Sequence, residues 1–227
     1  ELLPDFSLES TLEDQPITIT TDDNKTWQPN NWDRQSSGTI SAREALVQSR
    51  NQATVDLGLR IQLDKFIAFL KALGLQVHRN NHPALFLGAI ELTPFEVQHL
   101  FGLFASRGGN QNISAIRYVS DNNNRILSRS QQHMNHSLRT VNIDTINRAL
   151  HEITRSGTAR KLTDVFALQG PVFGKTGTTN DGKDSWFAGF DRRFLATVWV
   201  GRDDNQPTPY SGSSGALILW GHLFNNL

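Results

Sequence analysis

Apolar positions recur at helical spacing through the middle of the chain and change to strand-like runs in its last third. Residues 1–38 are rich in Asp, Asn, Thr, Gln, Ser and Pro. They carry one alternating run, Pro16-Ile17-Thr18-Ile19-Thr20, which predicts a short strand in a loop-like approach. Ser41 with Glu44 three residues on has the spacing of a capping box, predicting a helix through Ala45, Leu46 and Val47 to Ser49. Phe66, Ile67, Leu70 and Leu73 form a stripe that stops at Gly74 and is assigned to the core. In Leu92-Thr93-Pro94-Phe95-Glu96-Val97, Thr93 can cap, Pro94 suits the first helical position and Glu96 can return the cap bond. Leu92 and Val97 there have the spacing of a hydrophobic staple, and the helix should end near residues 106–109.

Two short strands are predicted over 113–119 and 125–127, around the turn Asn122-Asn123-Asn124. Ile143, Ile146, Leu150 and Ile153 share one face of a predicted helix over 143–155, with Gly157 beyond it. Residues 171–176, 185–190 and 194–200 read as three strands. The tight link Asp191-Arg192-Arg193 makes the last two antiparallel, and a helix over 215–224 closes the chain. Helices followed by a late antiparallel sheet and one more helix define an α+β fold whose sheet is assembled from distant pieces. The division is a loop-rich segment, 1–38, and a main body, 39–227.

At 227 residues and 37% hydrophobic content, the chain can bury a proper core. Lys plus Arg equals Asp plus Glu at 22 each, so no global field steers it to nucleic acid or anionic lipid. Without cysteine there is no disulfide, thiol nucleophile or Cys-ligated zinc. No apolar run approaches the ~20 residues that span a bilayer, and the start Glu1-Leu2-Leu3-Pro4-Asp5 is unlike a signal peptide and reads as the start of a fragment. Glu1, Asp5, Glu9, Glu13, Asp14, Asp22 and Asp23 all precede the first base, Lys25, and are read as a solvated surface. His133 and His136 lie three apart but lack further ligands, so neither metal nor cofactor is expected; Asp203-Asp204 is read as a charged turn.

The candidate chemistry sits in two motifs. In Lys175-Thr176-Gly177-Thr178-Thr179 a strand ends in an ammonium, a glycine and several hydroxyls, which together suit an anion. Alone, the same residues also describe a surface strand running into a turn. Ser49-x-Asn51 alone describes a common helix cap. Active-site serine enzymes of the penicillin-recognising class combine S-x-x-K, S-x-N and K-T-G, and two of the three stand here in order.

Trp199-Val200-Gly201-Arg202-Asp203-Asp204-Asn205-Gln206-Pro207-Thr208 resembles the segment after the active-site sheet in class A penicillin-binding proteins. Asp184-Ser185-Trp186-Phe187-Ala188-Gly189, Leu87-Gly88-Ala89-Ile90-Glu91-Leu92-Thr93-Pro94 and Gly157-Thr158-Ala159-Arg160 also resemble family landmarks, and the likeness runs from about residue 27 to the C-terminus. The resemblance implies a penicillin-binding transpeptidase or serine β-lactamase-like fold, an antiparallel sheet packed with helices. It implies D,D-transpeptidase chemistry on peptidoglycan stem peptides ending in D-Ala-D-Ala, with β-lactams as ligands. In this reading Ser49 relays a proton and Asn51 holds the substrate amide carbonyl and the catalytic lysine. Lys175 binds the terminal carboxylate, and Thr176, Gly177, Thr178 and Thr179 line the substrate; the Thr178 N–H is half of an oxyanion hole. Gly174, Trp186 and Gly189 are read as sheet packing.

The family's nucleophile motif is the departure. No Ser here has Lys three residues later, and Thr158-Ala159-Arg160-Lys161 has that spacing but follows S-x-N, so it is read as a decoy. The resemblance places S-x-x-K just upstream of Glu1, in a missing N-terminal part of the same protein. That part would carry a membrane anchor and a glycosyltransferase, placing this segment on the periplasmic face of the inner membrane. A serine β-lactamase is disfavoured because nothing resembles its deacylating glutamate loop. A non-catalytic penicillin-recognising binding or sensor module is the alternative.

Overall fold

Alternation at Thr11–Asp14, with Leu12 and Asp14 inward and Thr11 and Glu13 outward, produces β1. The structure, a computed structural model, describes all residues except 1, 22–23, 78–81, 111–112, 130–134, 137 and 169. β2 (Ile19–Thr20) and β3 (Thr26–Trp27) pair as a minimal hairpin, so only the end of the alternating run at 16–20 is strand. β4 (Gly38–Ser41) pairs antiparallel with β1, Leu12 opposite Ile40, across the boundary at residue 38.

Ser41 accepts the Glu44 N–H at 3.1 Å and opens α1 (Ala42–Gln48); the return bond of a full capping box is absent among the described residues. The chain turns at Ser49, whose φ of 58° is left-handed, and Arg50 leads into α2 (Asn51–Ile61), a helix the sequence pattern does not announce. α3 (Leu63–Ala72) ends at Gly74 (φ 89°) as expected. Its stripe Phe66, Ile67, Leu70 and Leu73 is only half-buried, because α3 lies at the edge of the molecule rather than inside it. In α4 (Pro94–Ala105) the capping box forms in full, with Thr93 N–H to Glu96 at 2.8 Å and Glu96 N–H to Thr93 at 3.2 Å.

Four short strands follow: β5 (Gly109–Asn110), β6 (Tyr118–Ser120), β7 (Ile126–Arg129) and β8 (Asn135–His136). β6 pairs with β7, so the first predicted strand begins later than expected, and β5 pairs with β8. α5 (Thr140–Arg155) begins three residues before the predicted start and leads into the short α6 (Lys161–Asp164).

β9 (Phe173–Thr178), β10 (Ser185–Phe190) and β11 (Leu195–Val200) form an antiparallel sheet in the order β11-β10-β9, and α7 (Ala216–Asn225) closes the chain. Phe187, Ala188, Gly189 and Phe190 are buried in succession, so both faces of β10 are covered. α5 lies along β9, α4 along β11, and α7 on β10 and β11. Trp220 is fully buried, stacked on Phe224 and set edge-on to Phe187 at 5.2 Å. Ser185 ties β10 to α7: its hydroxyl donates to Ser211 O at 2.7 Å and accepts the Ala216 N–H at 2.9 Å. Gln98 of α4 covers the β11 edge, donating to Leu195 O and accepting from Thr197, both at 2.9 Å. Among the described residues β9 is paired on one side only, leaving its other edge open.

Arg50, the middle residue of Ser49-x-Asn51, anchors the N-terminal segment. Its guanidinium contacts Asp14 Oδ2 through Nε at 2.9 Å and Nη2 at 2.8 Å, Asp33 Oδ2 at 2.7 Å and Gln35 O at 2.5 Å. Asp14, which the sequence reading placed on a solvated acidic surface, is fully buried. Burial by itself would raise its carboxyl pKa; hydrogen bonds from Arg50, Asn31 and the Ser37 N–H outweigh that and hold it below the usual carboxylate value. Asn31 and Gln52, also buried, complete the network: Asn31 Nδ2 donates to Asp14 at 2.8 Å and to Gln52 at 3.1 Å.

Trp220→Ala should lower unfolding free energy by about 3–5 kcal/mol through the lost aromatic volume and the cavity left behind. Urea denaturation measures this, and a loss below about 1 kcal/mol would mean the site collapses around the gap. Arg50→Met should cost about 3 kcal/mol at neutral pH, because Asp14 stays buried without its cation. The depressed Asp14 pKa stabilises the native chain above the ordinary carboxylate range and is lost as pH falls through its lowered value. The difference between wild type and Arg50→Met should therefore shrink in acid. A pH-independent difference in denaturation curves would reduce Arg50 to packing.

Candidate active site

Lys175 and Ser49, far apart in sequence, meet because α1 ends where β9 passes. Lys175 Nζ donates to Ser49 Oγ at 2.9 Å and to Thr176 O at 3.1 Å. Among the described residues no carboxylate lies within ion-pair distance of it. Some of the side chain still touches solvent, but burial of the ammonium pulls its pKa down to about 8. The result is a cation with a hydroxyl partner and no counter-charge.

Thr176 follows on β9, and successive side chains leave a strand on opposite faces. The Lys175 ammonium and the Thr176 hydroxyl are thus carried by adjacent residues of the strand whose outer edge is open. The Thr176 hydroxyl is 2.8 Å from the Thr158 hydroxyl. Thr178 Oγ1 accepts the Gly212 N–H at 2.9 Å, so its own proton remains available to an acceptor. Gly212 packs directly behind Gly177: a Cβ there would lie 2.5 Å from Gly177 O, so only glycine allows the approach.

Thr179 is not brought into this cluster. Its hydroxyl donates to Asp184 Oδ2 at 2.9 Å and accepts the Asp184 N–H at 2.8 Å, bracing the link from β9 to β10. Asp184 also accepts from Trp199 Nε1 at 2.8 Å.

Asn51 starts α2 beside Ser49. One hydrogen of its amide is committed to Asn30 O at 2.7 Å, and the remaining hydrogen and its Oδ1 are uncommitted among the described residues. Sequence reasoning missed Arg50, which fills the unspecified position of Ser49-x-Asn51, and Asn30 and Gly212, which belong to no motif. It dismissed Thr158, whose spacing to Lys161 concealed its spatial partner. Gly174 fits the packing role expected of it, since a Cβ there would lie 2.5 Å from the Phe187 ring. No cluster of three or more His, Cys, Asp or Glu side chains suited to a metal occurs among the described residues. His133 and the side chain of His136 lie outside what is described.

An ammonium, two hydroxyls and an open strand edge suit an anionic, extended ligand. Residues 6–218 match the penicillin binding protein transpeptidase domain. The chain is 38% identical over 218 residues to penicillin-binding protein 1B of Vibrio cholerae, covering 95% of the chain and 28% of that protein. It is 33% identical over 226 residues to penicillin-binding protein 1B of Escherichia coli, covering 97% and 26%. The chain thus spans little more than a quarter of the length of these relatives. In fold it is similar to the crystal structure of penicillin-binding protein 1A from Haemophilus influenzae, with a TM-score of 0.90 at 24% identity over 97% of the chain and 39% of that one. Sequence and fold agree that this chain belongs to the penicillin-binding protein transpeptidase family, on the class A side.

Proposed function

We infer that this chain supplies the S-x-N and K-T-G walls of a D,D-transpeptidase that cross-links peptidoglycan stem peptides ending in D-Ala-D-Ala. The carrying observation is the 2.9 Å contact between Lys175 and Ser49 beside the open edge of β9. The stem peptide would lie along that edge, with its terminal carboxylate against Lys175 and the Thr176 and Thr178 hydroxyls. Gly177 allows the peptide close to the strand, and Asn51 would donate its remaining amide hydrogen to the substrate's carbonyl.

The attacking serine and its lysine belong to an S-x-x-K motif that these 227 residues do not contain. That serine's oxygen bonds to the penultimate D-Ala carbonyl carbon, and the C–N bond to the terminal D-Ala breaks. The leaving amine takes, through Ser49, the proton that the attacking serine gives up to its motif's lysine, and the Lys175 ammonium 2.9 Å from Ser49 Oγ holds that hydroxyl in place. An acceptor amine then displaces the serine and forms the cross-link. The Thr178 N–H would stabilise the oxyanion; such a donor is worth about 3 kcal/mol. Beyond this segment, the whole protein would also polymerise glycan strands and sit anchored in the inner membrane with this domain in the periplasm. No helix among the described residues is long and apolar enough to cross a membrane. β-Lactams would occupy the same edge; two proteins of similar fold, penicillin-binding protein A and PonA1 of Mycobacterium tuberculosis, form complexes with imipenem and penicillin V.

A second reading is a non-catalytic penicillin-recognising module, in which the unpaired Lys175 ammonium and the neighbouring hydroxyls capture a ligand without acylation. Mass spectrometry after penicillin treatment separates the two. The 227-residue chain alone should carry no covalent adduct, while the protein with its preceding sequence should be acylated on an S-x-x-K serine. An adduct on Ser49 would relocate the nucleophile, and no adduct on the longer protein would favour the binding module.

Affinity for N-acetyl-D-alanyl-D-alanine should hold at pH 6–7 and fall as pH rises through about 8, where Lys175 loses its charge. Lys175→Arg should push that fall far up in pH, and Lys175→Ala should remove it. Titration of all three across pH checks this, and an unchanged profile in Lys175→Ala would take Lys175 out of the site.

A further inference from the structure

Thr158 is the one hydroxyl at this site that the transpeptidase reading leaves without a task. It follows α5 in the segment Gly157-Thr158-Ala159, and both neighbours are buried. Gly157 runs hard against α1: a Cβ there would sit 2.4 Å from Val47 O and 2.9 Å from Ile153 Cα, so no larger residue fits. The Gly157 and Ala159 N–H groups both reach Ile153 O, at 3.2 and 3.1 Å, which fixes the backbone on either side of Thr158. Its side chain is therefore held between the end of α1, which carries Ser49, and β9, which carries Thr176. Its hydroxyl lies 2.8 Å from the Thr176 hydroxyl, and both are half-buried.

We propose that Thr158 is a positioning residue for carboxylate recognition: it donates to Thr176 Oγ1 and so turns the Thr176 proton toward the ligand's carboxylate. This rests on the transpeptidase reading of the site. A hydroxyl can donate only one proton, and that proton rotates freely unless a neighbour occupies the oxygen's lone pairs. Thr178 has such a neighbour in the Gly212 N–H, and Thr158 provides the counterpart for Thr176. Each threonine is then left with its proton outward, two donors beside one ammonium. Donors oriented before the ligand arrives bind without reorganisation. The pair therefore sets the preference for a free carboxylate over an uncharged end.

The test compares N-acetyl-D-alanyl-D-alanine with its C-terminal methyl ester, titrated into the full chain and followed by amide NMR shifts. Wild type should prefer the acid. Thr158→Val, which keeps the shape and loses the hydroxyl, should weaken acid binding roughly tenfold and leave ester binding unchanged. Thr158→Ser should recover most of the preference. Thr158→Val and Thr176→Val should be non-additive when combined, as expected for a hydroxyl acting through its neighbour. If the valine variant fails to fold, Thr158→Ala carries the same comparison.

Full acid preference in the Thr158 variants, alongside loss in Lys175→Ala, would overturn this proposal and leave the site reading intact. Equal weakening of acid and ester, or strict additivity, would make Thr158 merely structural. No acid preference in wild type, or none lost in Lys175→Ala, would overturn the site reading and this proposal with it.

Discussion

The Asp14 carboxylate sits inside the protein, and the Arg50 guanidinium is the cation that holds it there. Burying a lone carboxylate costs several kcal/mol, so Asp14 can stay inward only while its cation and neutral donors surround it. Arg50 meets this demand from the centre of the Ser49-x-Asn51 motif, and its planar fork reaches Asp33 and the Gln35 carbonyl as well. A lysine, a single charged point on a flexible stem, could not span three acceptors at once. The consequence is geometric. β1 and residues 28–37 are pinned against the junction of α1 and α2, and the Asn30 carbonyl lands where the Asn51 amide can hold it. The motif's two outer side chains are thus set by what the residue between them binds.

The second wall is braced from the rear rather than from its ends. Gly212 presses on Gly177, Ser185 caps the start of α7, and Gln98 closes the β11 edge. Together these leave β9 as the edge free to accept an extended peptide. A sheet with both edges open would invite pairing with any strand. Here one edge is blunted, and in the proposed reading the Lys175 ammonium and Thr176 hydroxyl beside the other would select what may pair.

The parts of this architecture legible in the sequence were those whose cause is local. The Thr93-Pro94-Glu96 cap, the three late strands and their antiparallel link depend on residues within a few positions of each other. α2 escaped because Arg50, at its cap position, spends its side chain on Asp14 and offers no capping signal. β1 escaped because Asp14 reads as surface until its partner, many residues later, is known. The stripe of α3 misled for the opposite reason, since helical spacing says which face is apolar but not how deeply it will be covered. At the site, Lys175 and Ser49 were found through motifs, whereas Thr158 was set aside because its sequence neighbour Lys161 suggested the wrong chemistry. Its true partner, Thr176, is brought to it by the fold.

Lys175 stands where the two walls meet. Its ammonium is desolvated, hydrogen-bonded to neutral oxygens and unpaired, so in the empty site its charged form is held at a disadvantage. A carboxylate arriving at the β9 edge would remove that disadvantage and raise the lysine's pKa, since an opposite charge at close range favours the ammonium. By linkage, anion binding would then take up protons at pH between the empty-site value of about 8 and the raised value, and not well below 8. The missing counter-charge is therefore what couples occupancy to protonation. A lysine already satisfied by an internal Asp or Glu would bind the same ligand less tightly and would take up no proton on binding it.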